Sequence, residues 1–268
     1  MNSVRSQLRK GEPPMAEEQI LYTERLDAGY SGNAVVRNVS ISLSPGQLIA
    51  LIGPNGTGKS TILKTLSGML PPVRGSVCLN GRDLKTVPEN ERARTISLLM
   101  TDRIDPELMT CRDVVSHGRY PYTGFTGRLS ARDLEVIDSS FRAVGAEDLK
   151  DRYFSQISDG QRQRILLARA IAQEPKVLIM DEPTSFLDIR HKIELLRILL
   201  KLVKEGGVAA VISLHEIELA RKTADSVICV KDGRAETVEH VQDAFQEEAL
   251  CSLFDLDEEQ YRWLYGTD

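Results

Sequence analysis

The sequence of 268 residues contains no long hydrophobic run. Its longest unbroken apolar runs, Leu48–Ile52 and residues 208–212, are far shorter than the roughly 18–20 residues that a membrane-spanning helix requires. The chain therefore cannot form a membrane pore by itself. Residues 1–7 also lack the apolar stretch of a secretory signal.

Cysteine is scarce as well, and the four cysteines lie far apart in the sequence, at Cys78, Cys111, Cys229 and Cys251. This spacing excludes a metal site built from clustered cysteines. A chain of this length buries enough core to fold without disulfide or metal cross-links. Together with the missing secretory signal, these features favour the reducing cytoplasm.

The overall charge is weakly negative, at −5, but it is distributed unevenly. From Glu236 to Asp268 there are ten acidic residues against a single basic one, Arg262. Residues 1–235 hold 33 basic and 29 acidic side chains and are therefore slightly basic. The acidity belongs to the C-terminal part of the chain, so it does not argue against an anionic ligand bound elsewhere.

The composition divides the chain into three segments. Residues 1–17 are polar and unpatterned, which predicts a flexible N-terminal lead. Residues 18–238 form the main domain, and residues 239–268 form an acidic C-terminal extension. Because apolar residues interleave with the acidic ones in this extension, we expect a helix over residues 239–253 that packs on the core or on a second copy of the chain.

Hydrophobic periodicity predicts alternating strands and helices in the main domain. Antiparallel strands are expected around residues 20–26 and 39–43, and buried strands at 47–52, 96–100, 177–180, 208–213 and 226–231. Helices are expected at 60–70, 161–173, 189–205 and 217–223, and residues 108–156 have the spacing of a helical subdomain. The alternation predicts an α/β fold with a mainly parallel sheet that is covered on both faces.

The segment between the strand at 47–52 and the helix at 60–70 matches the phosphate-loop pattern G-x-x-x-x-G-K-[ST]. It reads Gly53, Pro54, Asn55, Gly56, Thr57, Gly58, Lys59 and Ser60. Glycines let the backbone wrap closely around phosphate oxygens, and a helix N-terminus adds partial positive charge. We expect Lys59 to reach the β- and γ-phosphates of a nucleotide and the Ser60 hydroxyl to bind Mg²⁺.

Two carboxylates, Asp181 and Glu182, directly follow the apolar strand Val177–Met180. The carboxyl ends of parallel strands are where such sheets bind their ligands. We therefore expect Asp181 to hold Mg²⁺ and Glu182 to polarise the attacking water as a general base.

A third motif makes a family resemblance specific. Ser158, Asp159, Gly160 and Gln161 precede the two carboxylates by about 20 residues and resemble the signature motif of ABC transporter ATPases, usually written LSGGQ. The spacing of the other motifs agrees with that family from about Ile20 to Val238. The resemblance implies the ABC cassette form of the P-loop NTPase fold, an α/β fold with a mainly parallel central sheet, an antiparallel β subdomain and a helical subdomain at about 104–168. It also implies hydrolysis of ATP to ADP and phosphate.

The resemblance implies roles for further residues. Tyr30 matches the aromatic residue that stacks on adenine, and Thr61 completes the ATP-binding loop. Residues 185–188, Ser-Phe-Leu-Asp, match the D-loop, and His215 matches the switch histidine that contacts the γ-phosphate.

The resemblance also implies a head-to-tail dimer. ATP on the phosphate loop of one copy is then covered by Ser158, Gly160 and Gln161 of the other copy. Hydrolysis reopens the dimer, and the motion passes to two integral-membrane permease subunits and indirectly to a substrate-binding protein. The implied position is peripheral, on the cytoplasmic face of the bacterial inner membrane, with no nucleic acid as partner.

Two positions depart from the family pattern. Asp159 replaces the first glycine of the usual Gly-Gly pair, so that its carboxylate has to be offset by Arg162 or Arg164 or has to point away from the partner's γ-phosphate. The family's Q-loop glutamine, which touches Mg²⁺, has no match after the strand at 96–100. We hypothesise that Thr101 or Asp102 takes that role, Asp102 through a hard oxygen suited to Mg²⁺.

The segments 101–103, 117–124, 158–163 and 214–216 together resemble ATPases of importers for iron chelates (siderophores), haem and cobalamin. Residues 119–125 are either a docking surface for the permease or a structured loop.

Several other functions are alternatives to an importer of this kind. They are an ABC subunit for a different substrate, a soluble ABC ATPase without a transport role, a P-loop kinase and a GTPase. The single phosphate loop and the lack of sustained heptads argue against the soluble ABC ATPase. The lack of a guanine-binding N-K-x-D motif argues against a GTPase, and a kinase would not need the motif at Ser158–Gln161.

Overall fold

The computed structural model describes residues 19–100, 106, 108–124, 126–238 and 240–266. The expected N-terminal lead at 1–17 lies outside these residues. No helix in the described part of the chain is both long and apolar enough to cross a membrane.

One mixed sheet of eleven strands forms the centre of the described residues. The strands are β1 (Leu21–Tyr30), β2 (Asn33–Val39), β3 (Ser42–Leu43), β4 (Leu48–Ile52), β5 (Arg74–Leu79), β6 (Arg82–Asp83), β7 (Ile96–Leu99), β8 (Val177–Met180), β9 (Ala209–Ser213), β10 (Ser226–Lys231) and β11 (Arg234–Val238). Strands β10, β4, β9, β8 and β7 lie side by side in this order and pair in parallel. Strand β1 pairs antiparallel with β2, β3 and β5. The predicted parallel sheet with an antiparallel β part is confirmed.

The described residues also form nine α-helices. They are α1 (Lys59–Leu66), α2 (Glu89–Thr95), α3 (Cys111–Ser116), α4 (Ala131–Ala143), α5 (Asp159–Ala172), α6 (Ile189–Lys204), α7 (Ile217–Thr223), α8 (Glu247–Phe254) and α9 (Glu258–Tyr265). The predictions for α6 and α7 are confirmed to within one residue, whereas α5 begins two residues earlier than predicted.

The parallel strands place alternate side chains in two different cores. In β4, Leu48, Ala50 and Ile52 belong to the core that contains side chains of α3 to α8. Ile49 and Leu51 belong to the core that contains side chains of α1 and of the antiparallel strands. Strands β8 and β9 divide their side chains in the same way. Because both faces of these strands are buried, the sequence shows continuous apolar runs instead of alternation.

The described residues between 108 and 156 include α3 and α4, so the helical character predicted for this stretch is confirmed, and α5 follows before β8. Thr110, Ser130 and Ser158 cap the three helices, and each serine or threonine side chain accepts a hydrogen bond from the backbone N–H three residues later. In α4, Ile137 and Phe141 are fully buried, as helical spacing predicts. Such capping boxes satisfy backbone donors that the first helical turn leaves unpaired.

Residues 119–125 are divided between interior and surface. Arg119 is 2% exposed, and its guanidinium lies 3.8 Å from the centroid of the half-buried Tyr122 ring. Tyr120 between them is 77% exposed. Phe125 lies outside the described residues. Arg119 and Tyr122 belong to the 3₁₀ helix His117–Tyr122 and pack against each other, whereas Tyr120 of the same helix faces solvent.

The predicted helix at 60–70 is wrong at its C-terminal end. Helix α1 ends at Leu66, and Ser67 caps it. Gly68 then adopts a positive φ of 75°, a left-handed conformation that commonly ends helices. Met69 and Leu70 therefore follow a turn, although their apolar side chains continue the helical pattern.

The predicted helix over residues 239–253 is wrong in its first half. Within it, Asp243–Phe245 form only a 3₁₀ turn, and Glu239 lies outside the described residues. Gln246 has an extended backbone, with φ −72° and ψ 152°, so the α-helix begins at Glu247. An extended residue of this kind is the usual N-cap conformation and separates the two turns.

The expectation that the extension packs on the core is confirmed for α8. Leu250 and Leu253 of this helix are buried, and Leu253 belongs to the core that contains α3 to α8. Lys231 at the end of β10 donates to Asp255, which follows α8. Helix α9, in contrast, buries none of its residues, and Trp263 is 86% exposed.

Candidate functional site

The predicted phosphate loop connects the carboxyl end of β4 to the N-terminus of α1. Gly53 has φ +143°, and a Cβ there would lie 2.1 Å from the carbonyl oxygen of Val230. Gly58 has φ +103°, and a Cβ there would lie 2.4 Å from Cγ2 of Val36. Gly56 also has a positive φ, of 78°, with open space around it. The path of the loop therefore requires glycine for its conformation and, at two positions, for space.

Lys59 is buried inside this loop. Its Nζ donates to the carbonyl oxygens of Gly53 and Pro54, at 2.8 Å in each case. Burial lowers the pKa of the Lys59 ammonium, and the carboxylates of Glu182 and Asp181 act in the opposite direction. The two predicted carboxylates and the predicted phosphate-binding lysine are thus electrostatic neighbours.

Asp181 and Glu182 follow β8 and are held by a residue of the adjacent strand. Ser213, the last residue of β9, donates from Oγ to Asp181 Oδ1 at 2.7 Å. The same Oγ accepts from the backbone N–H of Glu182 at 2.8 Å. Asp181 is only 4% exposed. Ser213 carries no motif, and its only signal in the sequence is a polar residue at the end of an apolar strand.

Glu182 turns its side chain toward two polar neighbours. Its backbone has a positive φ of 46°, a conformation that non-glycine residues rarely adopt outside turns and functional sites. Nε2 of His215 contacts Glu182 Oε1, and Ser185 Oγ donates to Oε2 at 3.1 Å. The structure therefore brings together the predicted general base and the predicted switch histidine.

The next residue after His215, Glu216, holds the loop that carries both residues in place through a hydrogen bond and an ion pair. Thr184 Oγ1 donates to Glu216 Oε2 at 2.9 Å, and Lys192 of α6 pairs with Oε1. Burial acts to raise the pKa of Glu216, but the hydrogen bonds from Lys192 and Thr184 outweigh it, so the pKa is lowered. This contact of three residues, which no sequence pattern indicates, ties α6 to the loops after β8 and β9.

The signature residues lie at the start of α5, away from the phosphate loop in sequence. Ser158 is the N-cap; its Oγ accepts from the backbone N–H of Gln161, and Gln161 Oε1 accepts from the backbone N–H of Ser158. Asp159 is exposed in the first turn. The guanidinium groups of its neighbours donate to backbone carbonyls, Arg162 to Ser155 at 2.9 Å and Arg164 to Gly145 at 3.0 Å.

Tyr30 ends β1 and is 46% exposed. A tight turn with positive φ at Ser31 and Gly32 leads from it into β2.

Thr101 and Asp102, the predicted substitutes for a Q-loop glutamine, lie outside the described residues. Among the described residues, no three His, Cys, Asp or Glu side chains group closely enough to hold a metal ion by themselves.

A family model described as "ABC transporter" matches residues 36–185, which is more than half of the chain. The chain belongs to the ABC transporter family. The matched residues of this ABC transporter ATPase include the phosphate loop, the signature turn and the two carboxylates after β8. As a member of this family it is a nucleotide-binding transporter ATPase, as predicted.

Relatives extend the similarity over nearly the whole chain. An ABC transporter ATP-binding protein of Methanocaldococcus jannaschii is 43% identical over 92% of this chain and 85% of its own length. The iron(3+)-hydroxamate import ATP-binding protein of Bacillus subtilis is 34% identical over 89% of each chain. A solved structure described as an inward-facing ABC transporter of metal-chelate type superposes with a TM-score of 0.79 at 26% identity. It covers 89% of this chain and 90% of its own.

Proposed function

We propose that this ABC transporter ATPase hydrolyses ATP with Glu182 as general base and His215 at the γ-phosphate. The observation that carries this proposal is the contact between Glu182 and His215 at the carboxyl end of β8, close to the buried Lys59. ATP would lie along residues 53–61, with Tyr30 stacked on its adenine. In this position Glu182 would accept a proton from the water that attacks the γ-phosphorus, while the bond from that phosphorus to ADP breaks.

The donor set around Asp181 fits Mg²⁺. This ion prefers hard oxygen ligands and usually combines one or two protein groups with phosphate oxygens and water. Ser60 offers a hydroxyl in the first turn of α1, and Asp181 offers a buried carboxylate held by Ser213. When bound, Mg²⁺ would neutralise negative charge on the phosphates. Thr101 and Asp102 remain proposed further ligands in place of the family's glutamine.

The signature turn is proposed to act in a second copy of the chain. Ser158, Gly160 and Gln161 would cover ATP held on the phosphate loop of the partner in a head-to-tail dimer. The turn suits an anion because it is a helix N-terminus with backbone N–H groups and a serine hydroxyl.

The cargo is proposed to be an iron chelate (siderophore), haem or a cobalamin-like compound. The hydroxamate-importing relative of Bacillus subtilis and the metal-chelate type structure support this class. A substrate-binding protein would deliver the cargo to two separate permease subunits, through which it would cross the membrane. The ATPase would lie peripherally on the cytoplasmic face of the bacterial inner membrane.

The proposed domain division is the one expected from the sequence. Residues 18–238 would form the ATPase domain, with a helical subdomain at about 104–168, and residues 239–268 would form the acidic extension.

The catalytic part of the proposal is tested by Glu182→Gln. We expect ATP hydrolysis to fall by about a hundredfold or more, because a general base contributes roughly that factor, while ATP binding persists and the dimer accumulates with ATP. Glu218→Gln, an exposed carboxylate paired with Arg221 on α7, is the matched control and should keep the wild-type rate. If Glu182→Gln hydrolysed ATP at the wild-type rate, Glu182 would not be the general base.

The transport part is tested by purifying the tagged chain with its membrane fraction. We expect two copies of a permease to accompany it, and vesicles holding this complex to accumulate a ferric siderophore, haem or cobalamin only when ATP is supplied. Uptake of an unrelated cargo would assign a different substrate, and an active ATPase without any permease would favour the ABC ATPase that has no transport role.

A further inference from the structure

His191 of α6 lies against the signature turn of the same chain. A Cβ built on Gly160 would lie 2.8 Å from both Cγ and Cδ2 of the His191 ring and 3.2 Å from its Nδ1. Gly160 is buried and has an ordinary helical backbone, so its glycine is required by space and not by conformation. This contact explains why a glycine stands at 160 although Asp159 replaces the glycine before it.

The other side of His191 is held by Asp188, the last residue of the D-loop. The backbone N–H of His191 donates to Asp188 Oδ1 at 2.9 Å, and its Nδ1 donates to Oδ2 at 2.8 Å. These hydrogen bonds, the backbone one foremost, hold the pKa of Asp188 below its usual range. The imidazole ring is thus held at Nδ1 by a carboxylate that also accepts from the backbone of the same residue, which restrains the ring beside Gly160.

A second contact joins the same two segments. Gln163, three residues beyond Gly160 on α5, donates from Nε2 to the carbonyl oxygen of Pro183 at 2.9 Å. Pro183 directly follows Glu182. The first turns of α5 are therefore attached at two points to the segment that runs from Glu182 to the start of α6.

We propose that His191 is a positioning residue that couples the two ATP sites of the dimer, by wedging the signature turn at Gly160 against the D-loop at Asp188. The inference rests on the proposed head-to-tail pairing. In that arrangement the signature turn covers the partner's ATP, whereas Glu182, which accepts from Ser185 of the D-loop, acts on ATP held by its own chain. A movement of either segment is then transmitted to the other through the ring of His191.

The test is His191→Ala in the full chain, with His240→Ala as the matched control because His240 is exposed in the C-terminal extension. For His191→Ala we expect the Hill coefficient of ATP hydrolysis to fall from near two to near one. The ATP concentration for half-maximal rate should rise about fivefold or more, the lower range of typical coupling between sites, with kcat changed less than twofold. His240→Ala should change none of these.

His191→Asn keeps both contacts of the ring. Its Cγ and its two amide atoms take the positions of Cγ, Nδ1 and Cδ2 beside Gly160, and its Nδ2 can still donate to Asp188, so it should restore wild-type kinetics. Kinetics like those of His191→Ala in His191→Asn would overturn the wedge. An unchanged Hill coefficient in His191→Ala, even with a lower melting temperature, would also overturn it. If Glu182→Gln hydrolyses ATP normally, the proposed function fails instead, so the two failures are distinguishable.

Discussion

Arg119 forms a buried ion pair with Asp133, in which Arg119 Nε lies 2.9 Å from Asp133 Oδ1. The side chains of both residues are less than a tenth exposed. Arg119 also donates from Nη1 to the carbonyl oxygen of Ala172 at 2.6 Å and to Glu174 at 2.8 Å. A single guanidinium thus holds the 3₁₀ helix His117–Tyr122, α4 and the end of α5 together.

Removal of this guanidinium should be strongly destabilising. Arg119→Ala leaves the Asp133 carboxylate buried without its cation, which typically costs about 3–5 kcal/mol of unfolding free energy. Urea unfolding at neutral pH measures this loss. Arg132→Ala is the control, because Arg132 pairs with Glu174 at the surface and such pairs contribute at most about 1 kcal/mol. Equal losses in the two variants would contradict the assigned role of Arg119.

The same aspartate predicts an acid-sensitive stability. The hydrogen bond from Ser130 is the main reason that the pKa of Asp133 lies below its usual value. Its contribution to stability is therefore complete above the unfolded pKa of about 4 and is lost as the pH falls through the lower folded pKa. Ser130→Ala should make the fall in unfolding free energy below pH 4 shallower. Urea unfolding between pH 3 and pH 7 checks this slope, and an unchanged slope would refute the assignment.

The phosphate loop should not tolerate a side chain at Gly53. An alanine there combines a left-handed φ with a Cβ 2.1 Å from a backbone carbonyl oxygen, which cannot be relieved by rotating a side chain. We expect Gly53→Ala to abolish ATP binding in a nucleotide-binding assay. Gly81→Ala also has a positive φ, but nothing lies within 4 Å of its Cβ, so it should bind ATP normally. Binding by both variants would show that the loop can shift.

The two helices of the acidic extension should differ in their contribution to stability. Leu250 of α8 is 2% exposed, so Leu250→Ala should lower the unfolding free energy by about 2–5 kcal/mol. Trp263 of α9 is 86% exposed, so Trp263→Ala should stay within about 0.5 kcal/mol of the wild type. Thermal or urea unfolding compares the two variants. A large loss in Trp263→Ala would show that α9 is covered in solution.

Much of the fold follows from the sequence because its strongest signals are local. The apolar runs of β4, β8 and β9 and the periodicity of α6 predict their elements closely, since burial on both faces or on one face leaves a clear pattern. The end of α1 was missed because Met69 and Leu70 continue that pattern, whereas the conformation of Gly68 decides the end. The segment before Glu247 was missed because its acidic and apolar residues suit a helix that Gln246 interrupts.

At the site, too, residues in short sequence motifs could be predicted, whereas contacts between residues far apart in the sequence could not. The phosphate loop, Asp181 and Glu182 are adjacent in sequence and form recognisable motifs. Ser213, Lys192 and Glu216 act through contacts across neighbouring strands and helices, which a single sequence does not reveal. The contact between Gly160 and His191 joins residues of two different helices, so the sequence alone could not explain why this glycine is kept.

The division of β4, β8 and β9 between two cores has a consequence for cooperativity. A strand whose alternate side chains fill both cores cannot leave one core without disrupting the other, so the two cores should unfold together. The backbone amides of these strands should then exchange with solvent only through global unfolding. Helix α9, which buries no side chain, should open on its own, and its amides should exchange long before those of the central strands.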